Sequence, residues 1–112
     1  MEYSDIIVAL QQFRDARGWR KYHNLKDLAL SVNLEASEIL EIFQWQDEKV
    51  SLEATQEAHL KEEIADTLIY LFYMADQLKM DPYEEIVKKI KINEGRHWEN
   101  ESDFDRWNRW LR

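Results

Sequence analysis

The stretch EEIADTLIYLFYMA, residues 62–75, decides the fold. Beyond its two leading acids it is apolar nearly all round and shows no period-two alternation, which suits a buried helix. At about 100° per residue, Leu60, Thr67, Leu71, Met74 and Leu78 share a face with Glu63. Tyr70 projects almost in line with Glu63 two turns on, Asp66 lies beside them, and Glu62 points elsewhere. The pattern predicts a helix capped by Ser51, extending to about Lys79, and the most buried of the chain.

Upstream, a second helix is predicted from about Lys26 to Trp45, with Leu28, Val32, Ala36, Ile39 and Phe43 as its apolar stripe. Glu35 lies between the directions of Leu28 and Ile42, Glu38 one step further round, and Glu41 well away. A first helix starts near Ser4 as N-cap, carries Ile6, Ile7, Leu10 and Phe13 at helical spacing, and ends at Gly18. Residues 18–25 read as a basic and aromatic loop. Downstream, Asp81-Pro82 with Glu84 is a helix start, and the fourth helix carries Ile86, Val87 and Ile90 to about Asn93. Ser102 caps a short last segment with Phe104, Trp107 and Trp110. The expectation is an all-α, four-helix bundle-like single domain over residues 1–112, with a short helical tail.

Composition narrows the function. Lys and Arg number 15 against 23 Asp and Glu, a net charge of −8. That argues against duplex nucleic acid, whose affinity comes from basic contacts to phosphate, but not against a small nucleotide in one locally cationic pocket. With no Cys there is no disulfide or thiolate metal site, and the cytoplasm is the expected location. The opening MEYSDIIV lacks the pattern of a secretory leader, and no apolar run reaches the roughly 20 residues that span a bilayer. Five Trp, five Tyr and four Phe are many for so small a core, so some are expected at an interface or ligand pocket.

Two acidic pairs carry the chemistry. Glu35 and Glu38 are three residues apart, as are Glu63 and Asp66, and each pair intrudes on an apolar helix face. One such pair is commonly a solvated helix edge. Two matched pairs on the two most amphipathic helices converge at one level if those helices pack antiparallel. Like charges so placed repel and are costly to bury. A hard divalent cation resolves that conflict: Mg²⁺, with Mn²⁺ as a possible substitute. Lys89 and Asn93 share a helix face, with Arg96 three residues on. Their types suit triphosphate oxygens, although a solvated basic face has the same spacing. Trp45 and Tyr70 could stack on a base or fill core, and His23 could hydrogen-bond a base or lie exposed. Glu94-Gly-Arg-His97 matches a di-iron ligand pattern, but it occurs once and contains Gly95, so we read it as accidental.

Three quoted segments carry a family resemblance. Ser31-Val-Asn-Leu-Glu35-Ala-Ser-Glu38-Ile-Leu-Glu-Ile-Phe43-Gln-Trp45 resembles the first signature of the MazG-like all-α nucleoside triphosphate pyrophosphohydrolases, in the branch containing the dCTP pyrophosphatases. Glu62-Glu63-Ile-Ala-Asp66-Thr-Leu-Ile-Tyr70-Leu resembles the second. Lys89-Ile-Lys-Ile-Asn93-Glu-Gly-Arg96 is similar to the element that follows, and His23 matches an aromatic-histidine segment. The chain departs from the pattern at Leu34, where a small residue is common, and at His97-Trp98, where Tyr-Pro is common.

The resemblance implies hydrolysis of a nucleoside triphosphate to monophosphate and pyrophosphate. Glu35, Glu38, Glu63 and Asp66 would hold Mg²⁺, with Glu38 and Glu63 taking part in catalysis and Glu38 the chosen base. Lys89, Asn93 and Arg96 would bind the phosphates, and His23, Trp45 and Tyr70 the nucleoside. It further implies house-cleaning of dCTP-like or non-standard nucleotides by a homotetramer, a dimer of dimers. A non-catalytic nucleotide- or metal-binding helical module and a structural oligomerisation bundle are the other readings of the same residues.

Overall fold

The computed structural model describes residues 1–95. They form α1 (Tyr3–Ala16), a single 3-10 turn (Arg20–Tyr22), α2 (Leu25–Ile42), α3 (Ala54–Gln77) and α4 (Pro82–Glu94). The described residues are thus all-α, as the periodicity predicts. The described chain divides after Asp81, with α1–α3 in one unit and α4 in another. Among the described residues no helix is long and apolar enough to cross a membrane. The expected tail segment, with Ser102, Phe104, Trp107 and Trp110, lies outside the described residues.

The helix ends show local chemistry at work. The N-cap of α1 is Glu2, not Ser4: the Asp5 carboxylate accepts from the Glu2 N–H at 3.0 Å, which leaves Ser4 inside the first turn. Gly18, at φ 68°, closes the other end. Its N–H donates to the Asp15 carbonyl while the Trp19 N–H donates to that of Arg14, the paired bonds of a Schellman motif. Asn24 caps α2, its side chain accepting from the Asp27 N–H at 2.9 Å. At the start of α3 the cap is Glu53 rather than Ser51, and the Gln56 side chain accepts from the Glu53 N–H. Lys79, at φ 53°, ends that helix with a second Schellman pair, donating to Asp76 as Met80 donates to Ala75.

Helices α2 and α3 pack along one another, and α1 lies on the C-terminal half of α3. The α2–α3 pair is antiparallel, since Glu35 stands opposite Glu63 and Asp66, while Glu38 and Glu41 share a groove with the earlier Thr55 and His59. Several contacts fix α1. The Tyr73 hydroxyl donates to the Leu10 carbonyl at 2.8 Å, Gln11 Nε2 donates to Asp76 at 3.0 Å, and the buried Arg14 guanidinium lies 3.8 Å from Asp76.

Within this unit Leu28, Tyr73 and Ala75 are the buried apolar residues. Helix α3, with Glu63, Tyr73 and Ala75, carries more buried residues than any other described helix, as the pattern predicts, yet Ile64, Leu68 and Leu71 remain 42–45% exposed. These three recur at i, i+4 and i+7, so they form one uncovered stripe. The physical reason is geometric: within this unit α1 and α2 pack on other parts of the helix and leave this face uncovered. Helix α4 begins with Pro82, carries Glu84 and Glu85 in its first turn and Lys91 in its last, and pairs Lys88 with Glu85 at 3.3 Å. Such charges complement the helix dipole.

Candidate metal centre

Antiparallel packing brings three of the four acids together. One carboxylate oxygen from each of Glu35, Glu63 and Asp66 lies within 4.8 Å of the others. Glu35 is half-buried, Glu63 buried and Asp66 exposed, so the group is partly open to solvent. Oε2 of Glu35 and Oε2 of Glu63 are buried and accept no hydrogen bond. Two buried anionic oxygens without donors cost several kcal/mol in an ordinary interior, on the order of 1–3 each or more. They are the right donors, in the right place, for a cation that prefers oxygen. The residues therefore fit a divalent metal.

The fourth acid, Glu38, stands beside this trio rather than in it. Its carboxyl is pushed above the usual carboxylate range, chiefly by hydrogen bonding and charge repulsion from Glu63. Glu35 is pushed up as well, first by burial; a hydrogen bond with Glu63 opposes that rise, and the charges of Glu38 and Asp66 add to it. The Thr67 hydroxyl donates to the Glu63 backbone carbonyl at 2.8 Å.

These raised values fix a pH dependence. The folded protein holds the Glu35 and Glu38 protons more tightly than the unfolded chain does. Their contribution to stability is fully present below the usual value near 4.5 and is lost as pH rises through the folded values. In the metal-free protein, Glu35→Gln is therefore expected to raise Tm above wild type at pH 8, with the gap narrowing as pH is lowered toward 5. A gap of equal size at both values refutes the repulsion. Saturating Mg²⁺ should reverse its sign, because only wild type retains the full ligand set.

The other predicted site residues differ in their surroundings. Tyr70 is close: burial, then the charges of Glu35 and Asp66, hold its hydroxyl pKa above the ordinary value. His23 instead packs edge-on against Tyr73, ring centroids 4.5 Å apart, and its carbonyl accepts from Gln77. Burial, then the charge of Arg14, lowers its pKa, and its Nδ1 is buried without a hydrogen-bond partner. Trp45 does not end α2, which stops at Ile42; it sits in a turn at φ 65° and is 95% exposed. Lys89 and Asn93 lie one turn apart on α4, in the second unit. Arg96 is outside the described residues. One residue that sequence reasoning passed over is His59, whose Nε2 lies 3.4 Å from Glu63 Oε1. The signal for it was its position four residues before Glu63 on one helix.

Comparison with known proteins identifies the family. The model of the MazG-like family matches residues 30–110. The chain is 32% identical to dCTP pyrophosphatase 1 of Bos taurus over 97 residues, covering 83% of this chain and 57% of that protein. The Homo sapiens protein of the same name is 30% identical over the same length, with the same coverage. The chain thus spans little more than half the length of these relatives. Among solved structures, a pyrophosphatase from Archaeoglobus fulgidus superposes with a TM-score of 0.67 at 38% identity, covering 81% of this chain and 87% of that one.

Proposed function

This chain belongs to the MazG-like family, and we propose that it hydrolyses nucleoside or deoxynucleoside triphosphates to the monophosphate and pyrophosphate. The observation that carries this reading is the convergence of Glu35, Glu63 and Asp66, with two buried carboxylate oxygens lacking any donor. Those three residues would hold Mg²⁺, or Mn²⁺ in its place, with Glu38 at the edge. When bound, the cation neutralises phosphate charge and makes a coordinated water more acidic.

The chain's own groups divide the remaining work. The oxygen of water adds to the α phosphorus as the bond from that phosphorus to the α–β bridging oxygen breaks, and pyrophosphate leaves. Glu38 accepts the water's proton. It stands next to the trio rather than within it, so its carboxylate is free to take a proton when the trio holds the cation. Tyr70, near Glu35 and Asp66, borders the nucleoside. Lys89, Asn93 and Arg96 take the phosphates, and His23 and Trp45 complete the nucleoside pocket. The preferred substrates are dCTP-like or non-standard nucleotides; the similarity to dCTP pyrophosphatases supports the first of these.

The exposed stripe of Ile64, Leu68 and Leu71, with Leu30 and Leu34 more than half exposed on α2, supports assembly with further copies of the chain. We place the working unit at a homotetramer, a dimer of dimers. In it the exposed Trp45 would reach a neighbour's site.

A panel of nucleoside and deoxynucleoside triphosphates, incubated with Mg²⁺ and analysed for products, tests the reaction. Monophosphate and pyrophosphate in equal amounts are expected. Diphosphate and inorganic phosphate instead would place the cleavage at the wrong bond. Absence of turnover, with a Tm still raised by Mg²⁺ and nucleotide, would mark a binding module.

A further inference from the structure

We infer that His59 is a positioning residue of the cation site: its imidazole, 3.4 Å from Glu63 Oε1, draws that oxygen toward itself and leaves Glu63 Oε2 for the metal. The inference rests on the metal dependence proposed above. His59 lies one turn before Glu63 on α3, so the i, i+4 spacing sets both side chains along one face. Nε2 is 3.4 Å from Oε1, whereas Oε2 is buried without a hydrogen-bond partner. The two oxygens of one carboxylate thus have unlike surroundings: one meets an imidazole, the other meets none.

That asymmetry matters because the terminal torsion of a glutamate is broad and roughly two-fold. Left alone, the carboxylate has no reason to present one oxygen rather than the other. Partners that orient metal ligands in this way commonly change metal affinity by about 10–100-fold when removed.

His59 is well suited to being tested separately from the fold. Its side chain is 56% exposed. It also lines an open groove of about 420 Å³ with Glu38, Glu41, Ile42, Thr55 and Gln56, so truncating it leaves no closed cavity. The groove lies on the Glu38 side of the trio, which puts the imidazole between open solvent and Glu63.

The test is calorimetric titration of MgCl₂ into metal-free protein at one pH, with Tm measured in parallel with and without Mg²⁺. His59→Ala is expected to weaken Mg²⁺ binding about tenfold or more, with metal-free Tm kept within about 2 °C, since surface changes cost little. His59→Gln, whose amide N–H can reach the same oxygen from the same helical position, is expected to recover most of the affinity. Unchanged Mg²⁺ affinity in the alanine variant, beside wild-type protein that binds Mg²⁺, overturns the positioning role and leaves the proposed function standing. A glutamine variant as weak as alanine also overturns it. If wild-type protein itself binds no Mg²⁺, the metal reading falls first and this inference with it.

Discussion

Glu63→Gln is expected to abolish turnover while leaving the protein folded. The substitution keeps the size of the side chain and removes one anionic ligand from a cluster whose members lie within 4.8 Å of each other. Removal of a residue that merely orients a metal ligand costs about 10–100-fold, so loss of the ligand itself should cost on the order of 10³-fold in kcat. Metal-free stability should hold or rise. The buried Oε2 of Glu63 has no donor in the native protein, and the new amide supplies one that can point at Glu35. The relief of repulsion should appear as a Tm equal to or above that of metal-free wild type.

Two controls make this sharp. Glu62 is the adjacent acid on the same helix and is exposed, and Glu62→Gln should retain near-normal activity because it changes net charge equally without touching the cluster. The Mg²⁺-induced rise in Tm should vanish in Glu63→Gln and persist in Glu62→Gln. At a hundred times its dissociation constant a ligand stabilises by about 2.7 kcal/mol, which is readily seen by scanning calorimetry. Near-normal kcat in Glu63→Gln would falsify the assignment of the cluster as the metal site, whatever the protein then turned out to hydrolyse.

How far the sequence foretold this site depends on which forces were local. The register of Glu63, Asp66 and Tyr70 on α3, and of Glu35 relative to Leu28 on α2, follows from the 3.6-residue period and came through intact. Helix ends are decided by competition among turn hydrogen bonds, and there the pattern misled. Phe43-Gln-Trp45 continues the apolar spacing of α2, yet the Gln44 N–H turns to the Glu41 carbonyl and the Gln46 N–H to that of Phe43. Trp45 is carried into the left-handed region and out into solvent. The caps moved for the same reason: Asp5 and Gln56 reach back to the N–H groups of Glu2 and Glu53 and pre-empt the serines.

Burial was the least legible property. An apolar run states what a helix must cover but not what covers it, and the stripe of Ile64, Leu68 and Leu71 stays open among α1–α3. His59 escaped notice because a lone histidine in a polar first half of a helix carries no pattern of its own. It acquires meaning only once Glu63 is known to be buried and one of its oxygens to be without a partner.

Leu28→Ala is expected to produce a large loss of stability. Leu28 is 2% exposed and, with Tyr73, one of the two large apolar side chains of the described unit that are almost fully enclosed. Truncating such a leucine removes transfer free energy and leaves a cavity, together about 2–5 kcal/mol. Total stability of a domain this size is about 5–15 kcal/mol, so the variant stands near the edge of folding at physiological temperature. Tm should fall by about 10 °C or more, given roughly 4–8 °C per kcal/mol for a small domain. The effect should reach the metal site indirectly. Leu28 lies two turns before Glu35 on the same face of α2, so the packing it provides holds that face, and the Glu35 carboxylate with it, against α3. Saturating Mg²⁺, which binds only the folded arrangement, should return part of the lost Tm in Leu28→Ala and none in Leu28→Ala combined with Glu63→Gln. A fall below about 1 kcal/mol by urea denaturation, typical of a surface change, would show that Leu28 does not anchor the α2–α3 contact on which the carboxylate cluster depends.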